Sequence, residues 1–208
     1  MSPGIVVLSP EVVNQIAAGE VVVRPSSVIR ELLDNSIDAG ATEIQVEIDK
    51  GGKKRIFVRA NGHGMDSTSI KLSIEPHATS KIRTTDDLQT IRTLGFRGEA
   101  LASISSVSRM EMLSCESPEK GGSRLVSDGK HSKISPAAAP PGTTVTVREL
   151  FWNVPARRKF LRSESSETRG VTEAVIEKAL AFPDVSLRYV RDGQEAFHPR
   201  WDPGRARR

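Results

Sequence analysis

The sequence predicts an α+β fold, a two-layer sandwich in which a mixed, mostly antiparallel sheet carries helices on one face. Runs of alternating apolar residues, such as 55–60 and 143–148, indicate half-buried strands. Apolar residues at helical spacing in 29–37 and 167–182 indicate amphipathic helices. No internal repeat is visible and no apolar run reaches the length of a membrane span, so a single layered domain is the simplest solution.

The N-terminal part is predicted to hold two helices and then a hairpin. Ser9 suits an N-cap, Pro10 suits the first helical position, and Gly19 is a common helix end. Pro25 begins the second helix in the same way. A glycine-containing connection is typical of a hairpin. The two predicted hairpin strands are 43–48 and 55–60.

Shorter helices and strands follow. Predicted helical segments are 69–74, 86–92, 98–107 and 167–182, and predicted strands are 109–114, 123–127, 143–148 and 185–190. Segment 117–142 is rich in Gly, Ser, Pro and Lys, which favours a hairpin and a surface loop. The helix and strand patterns stop after Asp192. We therefore expect one domain over 1–192 and a basic, disordered tail over 193–208.

Composition favours a soluble intracellular domain. Of 208 residues, 37% are hydrophobic, enough to build a core, and the formal net charge is only +4. No signal peptide is evident, so we expect the cytoplasm, or the nucleus in a eukaryote. Cys115 is the single cysteine, which excludes an internal disulfide. Its place at the end of a predicted strand favours packing over reactivity.

The second predicted helix separates polar from apolar side chains. At about 100° per residue, the polar residues fall within an arc of roughly 100°, opposite an apolar face. The polar set is Glu31, Asp34, Asn35 and Asp38, and the apolar set is Ile29, Leu32, Leu33 and Ile37. A glutamate can accept a proton from water, and an asparagine oxygen is a neutral ligand for Mg²⁺. The alternative interpretation is a solvated helix face.

Two glycine-rich segments accompany this helix. Gly62 and Gly64 follow a predicted strand and allow the backbone to approach a ligand closely. The run 94–104 passes from a glycine loop into a helix, whose first N–H groups suit phosphate oxygens. Each segment alone is weak evidence, and a plain helix cap is the alternative. The chain contains no G-x-x-x-x-G-K-[ST] phosphate loop.

Taken together, these segments resemble the N-terminal ATPase domain of MutL-type DNA mismatch repair proteins. That family belongs to the superfamily of gyrase, heat-shock chaperone, histidine kinase and MutL ATPases, with a Bergerat-type ATP-binding fold. Besides the helix of Glu31, the matching segments are 14–22, 61–65, 77–82, 94–108 and 153–160. Histidine kinases lack the glutamate at position 31 and gyrase-type chains lack the 155–160 signature, so these relatives fit less well.

The resemblance implies a site for ATP and Mg²⁺. Glu31 corresponds to the general base that activates water, and Asn35 to the Mg²⁺ ligand. A nucleotide lid spans about 75–100, and a threonine near the adenine corresponds to Thr143. The positions implied to contact nucleotide are Asn35, Asp38, Ala60, Gly62, Gly64, Met65, Thr79, Ser80, Lys81, Leu94, Gly95, Phe96, Arg97, Gly98, Glu99, Ala100, Leu101 and Thr143.

One of these positions departs from the family pattern. Where the family has an aspartate that accepts the adenine amino proton, this chain has Ala60. Removing a charged acceptor costs about 1.5–3 kcal/mol, or roughly tenfold to more than a hundredfold in affinity. Asn61 points to the opposite face of an extended strand and is not expected to compensate. We expect weak or undetectable ATP binding.

The resemblance also implies partners. These are the mismatch-recognition and nicking or excision proteins of repair, weakly and non-specifically bound DNA, and a second copy in an ATP-dependent N-terminal homodimer. Without nucleotide we expect a monomer, and residues 1–20 are candidates for exchange between subunits. A basic cluster suits DNA phosphates, although a solvated or salt-bridged segment is the alternative. The cluster is Arg157, Arg158, Lys159 and Arg162.

Three functional hypotheses remain open. The first is an ATP-hydrolysing switch of mismatch repair, and the second is a nucleotide-deficient fragment that binds DNA or partners. The third, a histidine kinase or gyrase-type relative, fits least well. MutL proteins continue into a second domain, which supplies a lysine toward the γ-phosphate, and a C-terminal dimerisation domain. We expect both to be absent from these 208 residues, which also favours poor hydrolysis.

Overall fold

A computed structural model describes residues 4–84, 86–91 and 93–197 of the chain. Its α-helices are α1 (Pro10–Val21), α2 (Pro25–Asp38), α3 (Ser67–Leu72), α4 (Ala100–Ser106), α5 (Pro155–Lys159) and α6 (Glu164–Ala181). Short 3-10 turns cover Lys50–Gly52, Asp86–Gln89 and Pro118–Lys120. The strands are β1 (Glu43–Asp49), β2 (Arg55–Ala60), β3 (Arg109–Cys115), β4 (Gly122–Ser127), β5 (Ser132–Ala137), β6 (Gly142–Arg148), β7 (Ser186–Arg191) and β8 (Gln194–Phe197).

The eight strands form one sheet in the order β5-β4-β3-β6-β2-β1-β7-β8. Neighbours are antiparallel except β1 and β7, which run parallel because α6 crosses back over the sheet between the distant β6 and β7. β2 lies at the centre, with Ala60 opposite Thr143 of β6. The predicted mixed, mostly antiparallel sheet with packed helices is confirmed.

The structure agrees with the sequence-based predictions more closely on where each helix or strand lies than on the residues at which it begins and ends. α2 begins at Pro25 as predicted, with Pro in the first turn. The predicted end of α1 at Gly19 is wrong, since the helix continues to Val21. α6 begins at Glu164, three residues earlier than predicted, because the Ser163 hydroxyl accepts the Ser166 N–H as an N-cap.

Two elements, β8 and α5, escaped prediction. The expectation of no strand after Asp192 is wrong for β8, which turns back at Gly193 (φ +79°) and pairs with β7. Residues 198–208 of the expected tail lie outside the described residues. The hairpin predicted within 117–142 is confirmed as β4 and β5, with β5 at the edge of the sheet. The short helix α5, which was not predicted, carries Arg157, Arg158 and Lys159 of the basic cluster.

The main core lies between α2 and the centre of the sheet. Ile29, Leu32 and Leu33 are buried against strand residues that include Val46 and Val58. Full burial of each such side chain contributes about 1.5–3 kcal/mol. The apolar face of α2 is thereby held on the sheet, which directs its polar face outward. Cys115 is buried and donates to the Ser117 carbonyl, as expected for a packing role.

Among the described residues, no helix combines the length and apolar character that a membrane span requires.

Candidate functional site

A cavity of about 950 Å³ opens between α2, the end of β2 and the segment 72–101. It has a polar end beside Glu31, Asn35 and Lys81, and an apolar end lined by groups from the central strands. The apolar end is formed by Val58, Ala60, Met112 and Val145. Every residue that the resemblance assigned to nucleotide contact lines this cavity, although the individual roles remain predictions.

Glu31 is the candidate base at the polar end. Partial burial raises the pKa of its carboxyl group, and the neighbouring Asp34 carboxylate raises it further. Lys81, Lys178 and Arg97 partly offset this effect. Asp34 itself is paired with Lys178 from α6. A carboxylate with a raised pKa accepts a proton more readily than an exposed glutamate, which suits activation of water.

Lys81 bridges the predicted lid segment (75–100) and α2. Its ammonium donates to Asn35 Oδ1 at 2.9 Å and to Asp38 Oδ2 at 2.6 Å. The Asp38 carboxylate, only 7% exposed, also accepts the backbone N–H groups of Leu94 at 2.9 Å and Gly95 at 3.2 Å. Asp38 therefore ties together the two arms of the lid rather than pointing freely into the cavity.

This arrangement qualifies the predicted phosphate cradle. The predicted run begins at Gly95, whose N–H is already taken by Asp38 in this structure. Gly98 has φ +65°, and a Cβ there would lie 2.5 Å from the Ala78 carbonyl oxygen. The close approach of the two lid arms at this point requires glycine.

The donor set at the polar end fits a cation that takes few protein ligands. Asn35 offers a neutral oxygen that already accepts from a cationic group, Lys81. Within the described ranges, no group of three or more His, Cys, Asp or Glu side chains could hold a metal ion on its own. Mg²⁺ typically completes its shell with phosphate oxygens and water, which is compatible with such a site.

The apolar end carries a cross-strand row of three residues. Ala60 lies opposite Thr143, and Thr143 lies opposite Ser114 of β3. The Ser114 and Thr143 hydroxyl oxygens are 2.7 Å apart. Sequence reasoning missed Ser114, although the alternation of β3 places it on the same face as Met112.

Asn61 does not substitute for an acceptor at position 60. Its side-chain oxygen accepts the N–H groups of Thr42 and Glu43, both at 2.9 Å. Its amide nitrogen donates to the Thr42 hydroxyl at 2.9 Å. The side chain is thus committed to the turn before β1.

Gly64 shapes the rim beside this row. It has φ +67°, and a Cβ there would lie 2.0 Å from the Cys115 carbonyl oxygen. Its neighbour Met65 donates its N–H to the Ser114 hydroxyl at 2.8 Å. The rim segment is thereby packed directly on β3.

The basic cluster does not act as one surface. Arg158, Lys159 and Arg162 are exposed, whereas Arg157 is half-buried. The Arg157 guanidinium lies 5.9 Å from the centre of the Phe151 ring and its Nη2 lies 3.5 Å from the Ile16 carbonyl of α1. Three of the four predicted DNA residues are therefore available to a partner, and Arg157 packs against α1.

Comparison with known proteins gives consistent results. Residues 23–140 match the family model described as histidine kinase-, DNA gyrase B-, and HSP90-like ATPase. The chain is 53% identical over 192 residues to the DNA mismatch repair protein MutL of Cellvibrio japonicus, covering 91% of the chain and 31% of that protein. It is 56% identical over 179 residues to MutL of Acidobacterium capsulatum, covering 86% of the chain and 27% of that protein. The chain thus spans less than a third of the length of these relatives.

Solved structures show the same similarity. The Aquifex aeolicus MutL ATPase domain complexed with ADP superposes with a TM-score of 0.67 at 35% identity, covering 86% of this chain and 64% of that one. The N-terminal domain of a DNA repair protein superposes with a TM-score of 0.70 at 26% identity, covering 89% of this chain and 55% of that one. By sequence and fold, the chain therefore belongs to the histidine kinase-, DNA gyrase B-, and HSP90-like ATPase family, and its similarity there is to the N-terminal ATPase domain of MutL mismatch repair proteins.

Proposed function

We propose that this chain is the nucleotide-binding domain of a MutL-type mismatch repair protein and that it acts as an ATP-dependent switch of lowered nucleotide affinity. The observation that carries the proposal is the convergence of Glu31, Asn35 and Lys81 at one end of a single cavity. A carboxylate, a neutral oxygen and an ammonium are the groups that phosphoryl transfer to water requires for positioning and charge stabilisation.

Each residue has a distinct part in the proposed reaction. Glu31 accepts a proton from the attacking water, and its raised pKa supports this task. Asn35 would hold Mg²⁺, which neutralises phosphate charge when bound. Lys81 turns from Asn35 and Asp38 toward the phosphates, carrying its arm of the lid with it. Lid position then reports nucleotide occupancy to the rest of the protein.

Ala60 is the reason to propose lowered affinity. Its methyl group lies at the apolar end and cannot accept a hydrogen bond from an adenine amino group. The full engagement of Asn61 supports this view, since no neighbouring carboxamide is free to take over. A chain that keeps the fold but binds little nucleotide, and acts through DNA or partner contacts, is the second candidate function.

Partner binding is proposed on two surfaces. The exposed side chains of Arg158, Lys159 and Arg162 suit weak, salt-dependent contact with DNA phosphates. The apolar side chains of Ile5, Val6 and Val7 are also exposed, which supports a role of the N-terminal segment in contacting a second copy. Mismatch-recognition and nicking or excision proteins are the further partners proposed for the whole protein.

Calorimetric titration tests nucleotide binding. The unmodified chain and Ala60→Asp are titrated with a non-hydrolysable ATP analogue and Mg²⁺. We expect Ala60→Asp to bind the ATP analogue at least about tenfold more tightly than the unmodified chain does. Equal affinity would contradict the role given to position 60, and failure of both to bind would contradict the nucleotide site.

DNA binding is tested separately on the exposed basic residues. Lys159→Glu is expected to weaken binding to duplex DNA at low salt and to reduce the salt dependence. Arg169→Glu is the matched control, because Arg169 is also exposed but is paired with Glu173 on the side of α6. If both variants bind DNA as the unmodified chain does, α5 is not a DNA surface.

A further inference from the structure

The apolar end of the cavity contains one pair of hydroxyl groups whose hydrogen-bond direction is not fixed by their surroundings. Ser114 is fully buried and Thr143 lines the cavity directly. Their oxygens are 2.7 Å apart, so one of the two hydroxyls must donate to the other. Ala60 completes the same cross-strand row with a methyl group.

Counting protons gives two allowed arrangements. The Ser114 oxygen accepts the Met65 N–H at 2.8 Å, and it lies 3.1 Å from the Gly142 carbonyl oxygen. Ser114 has a single hydroxyl proton to give, either to Gly142 or to Thr143. If it donates to Gly142, Thr143 must donate to Ser114, which leaves Thr143 with only lone pairs to offer the cavity. If it donates to Thr143, the Thr143 proton is free to point into the cavity.

The pair can therefore present an acceptor or a donor at the same point. An acceptor suits the 6-amino group of adenine, and a donor suits the 6-oxo group of hypoxanthine or guanine. A carboxylate at position 60 would accept only, but Ala60 removes that restriction. Two other polar residues lining the cavity are engaged elsewhere, Glu116 with Lys120 at 2.7 Å and the His63 ring with the Gly64 carbonyl at 2.8 Å.

The position of the base follows from the two ends of the cavity. Phosphates carry negative charge and suit the end with Lys81, Asn35 and the lid backbone. A purine ring is flat and largely apolar, so it suits the end formed by Val58, Met112 and Val145. The edge of a base seated there meets the row of Ala60, Thr143 and Ser114.

We propose that this chain discriminates only weakly between 6-amino and 6-oxo purine nucleotides, because the Thr143–Ser114 pair reverses its hydrogen bond to suit either base. The proposal rests on the proposed function, since it requires a nucleotide in the cavity. The arrangement that presents an acceptor also keeps the Ser114 bond to Gly142. One such bond favours the 6-amino purine by only about twofold to tenfold.

The test compares non-hydrolysable analogues of ATP and ITP with Mg²⁺, by titration calorimetry on the unmodified chain and on Ala60→Asp. Hypoxanthine lacks the 2-amino group of guanine, so the pair of ligands isolates the 6-position. The unmodified chain is expected to prefer the ATP analogue by less than about tenfold. Ala60→Asp is expected to raise that preference, since a carboxylate accepts from the amino group and repels the oxo group.

Two threonine variants check the hydroxyl pair itself. Thr143→Val removes the hydroxyl group that can reverse its hydrogen bond. It is expected to lower the affinity for both analogues by about twofold to tenfold. Thr144→Val is the matched control, because Thr144 pairs with Leu113 and Arg59 on the other face of the sheet. It should change neither affinity. Equal effects of the two variants would overturn the proposed part of Thr143.

The remaining outcomes separate the two proposals. A tenfold or greater preference for the ATP analogue in the unmodified chain, or an unchanged preference in Ala60→Asp, overturns the loss of discrimination alone. Binding by Ala60→Asp without any binding by the unmodified chain also overturns it, while leaving the nucleotide site in place. If Ala60→Asp folds, as judged by a cooperative thermal transition, and binds neither analogue, the proposed function fails.

Discussion

The two ends of the cavity are built in different ways. At the polar end, side chains make the contacts: Lys81 reaches across to Asn35 and Asp38, and Asp38 holds two lid N–H groups. At the apolar end, the backbone sets the shape, with Ala60 and Thr143 paired in the sheet and Gly64 lying on β3. The polar end can change shape by rotating long side chains, whereas the shape of the apolar end can change only if the sheet moves.

This difference explains why a substitution at position 60 is compatible with the fold. Ala60 is buried at the end of a strand that is paired on both sides, so backbone hydrogen bonds rather than its side chain hold this position in the sheet. The hydrogen bonds of Lys81 and Asp38 at the polar end are made as well. In the proposed function, the property affected by Ala60 is recognition of the base rather than assembly of the site.

The largest expected effect concerns Glu31 at the polar end. In the Ala60→Asp chain, Glu31→Ala should lower Mg²⁺-dependent phosphate release by about 10²-fold or more, because general-base catalysis contributes roughly 10²–10⁴-fold. Analogue binding should change little, since the base acts on water. Glu177→Ala on α6, an exposed carboxylate paired with Arg30, is the control. Equal hydrolysis by the two variants would remove Glu31 from the mechanism.

The next effect compares one glycine from each end. Gly64→Ala should destabilise the fold by about 1–3 kcal/mol, because its Cβ would overlap the Cys115 carbonyl and its φ is positive. Gly95→Ala should cost much less, since the nearest atom to its Cβ is the flexible Lys81 ammonium at 3.4 Å. Urea unfolding measures both. Equal costs would show that the apolar end is not more rigidly packed than the polar end.

A smaller effect tests the link between Lys81 and the lid. Lys81→Met should speed hydrogen exchange of the Leu94 and Gly95 N–H groups by about twofold to tenfold, because Asp38 loses the partner that positions it. Lys178→Met removes a charge from the same polar face of α2, where Lys178 pairs with Asp34 one turn before Asp38, and should leave these two groups unchanged. Equal acceleration in both variants would point to a general charge effect.

The smallest effect is a pH dependence of stability. The folded-state pKa of Glu31 is raised, so the folded protein holds this proton more tightly than the unfolded chain does. The protonated Glu31 carboxyl group therefore favours the folded state. This contribution to the free energy of unfolding is fully present below the unfolded-state pKa and is lost as the pH rises through the folded-state pKa. Glu31→Gln should therefore raise the melting temperature at neutral pH by about 1–3 °C, and by less near pH 4. A constant difference across this range would contradict the sign of the shift.

Much of the cavity lining could be predicted from sequence because its residues lie in short, contiguous motifs. The helical spacing of Glu31 and Asn35 puts both on one face of α2 wherever the helix sits. Gly62 and Gly64 follow a strand directly, and the structure brings both to the cavity. Ser114 could not be identified in this way. Its importance comes from the register between β3 and β6, which joins residues 29 positions apart.

The basic cluster shows the opposite outcome. Its four residues are consecutive or nearly so, yet they do not share one surface. Arg157 packs against α1 because α5 is a short helix, which turns successive side chains in different directions. No local pattern marks α5 as a helix, since its five residues are too few to show a period.

By itself, the sequence determined the fold class, the polar face of α2, the positions of most strands and the absence of an acceptor at position 60. These properties depend on local spacing and on the chemistry of single side chains. Only the tertiary structure decided that Asp38 holds the backbone of Leu94 and Gly95, that Asn61 is committed elsewhere and that Ser114 joins Thr143. Each of these depends on contacts between residues distant in the chain, and such contacts exist only after the sheet register and the packing of the helices have formed.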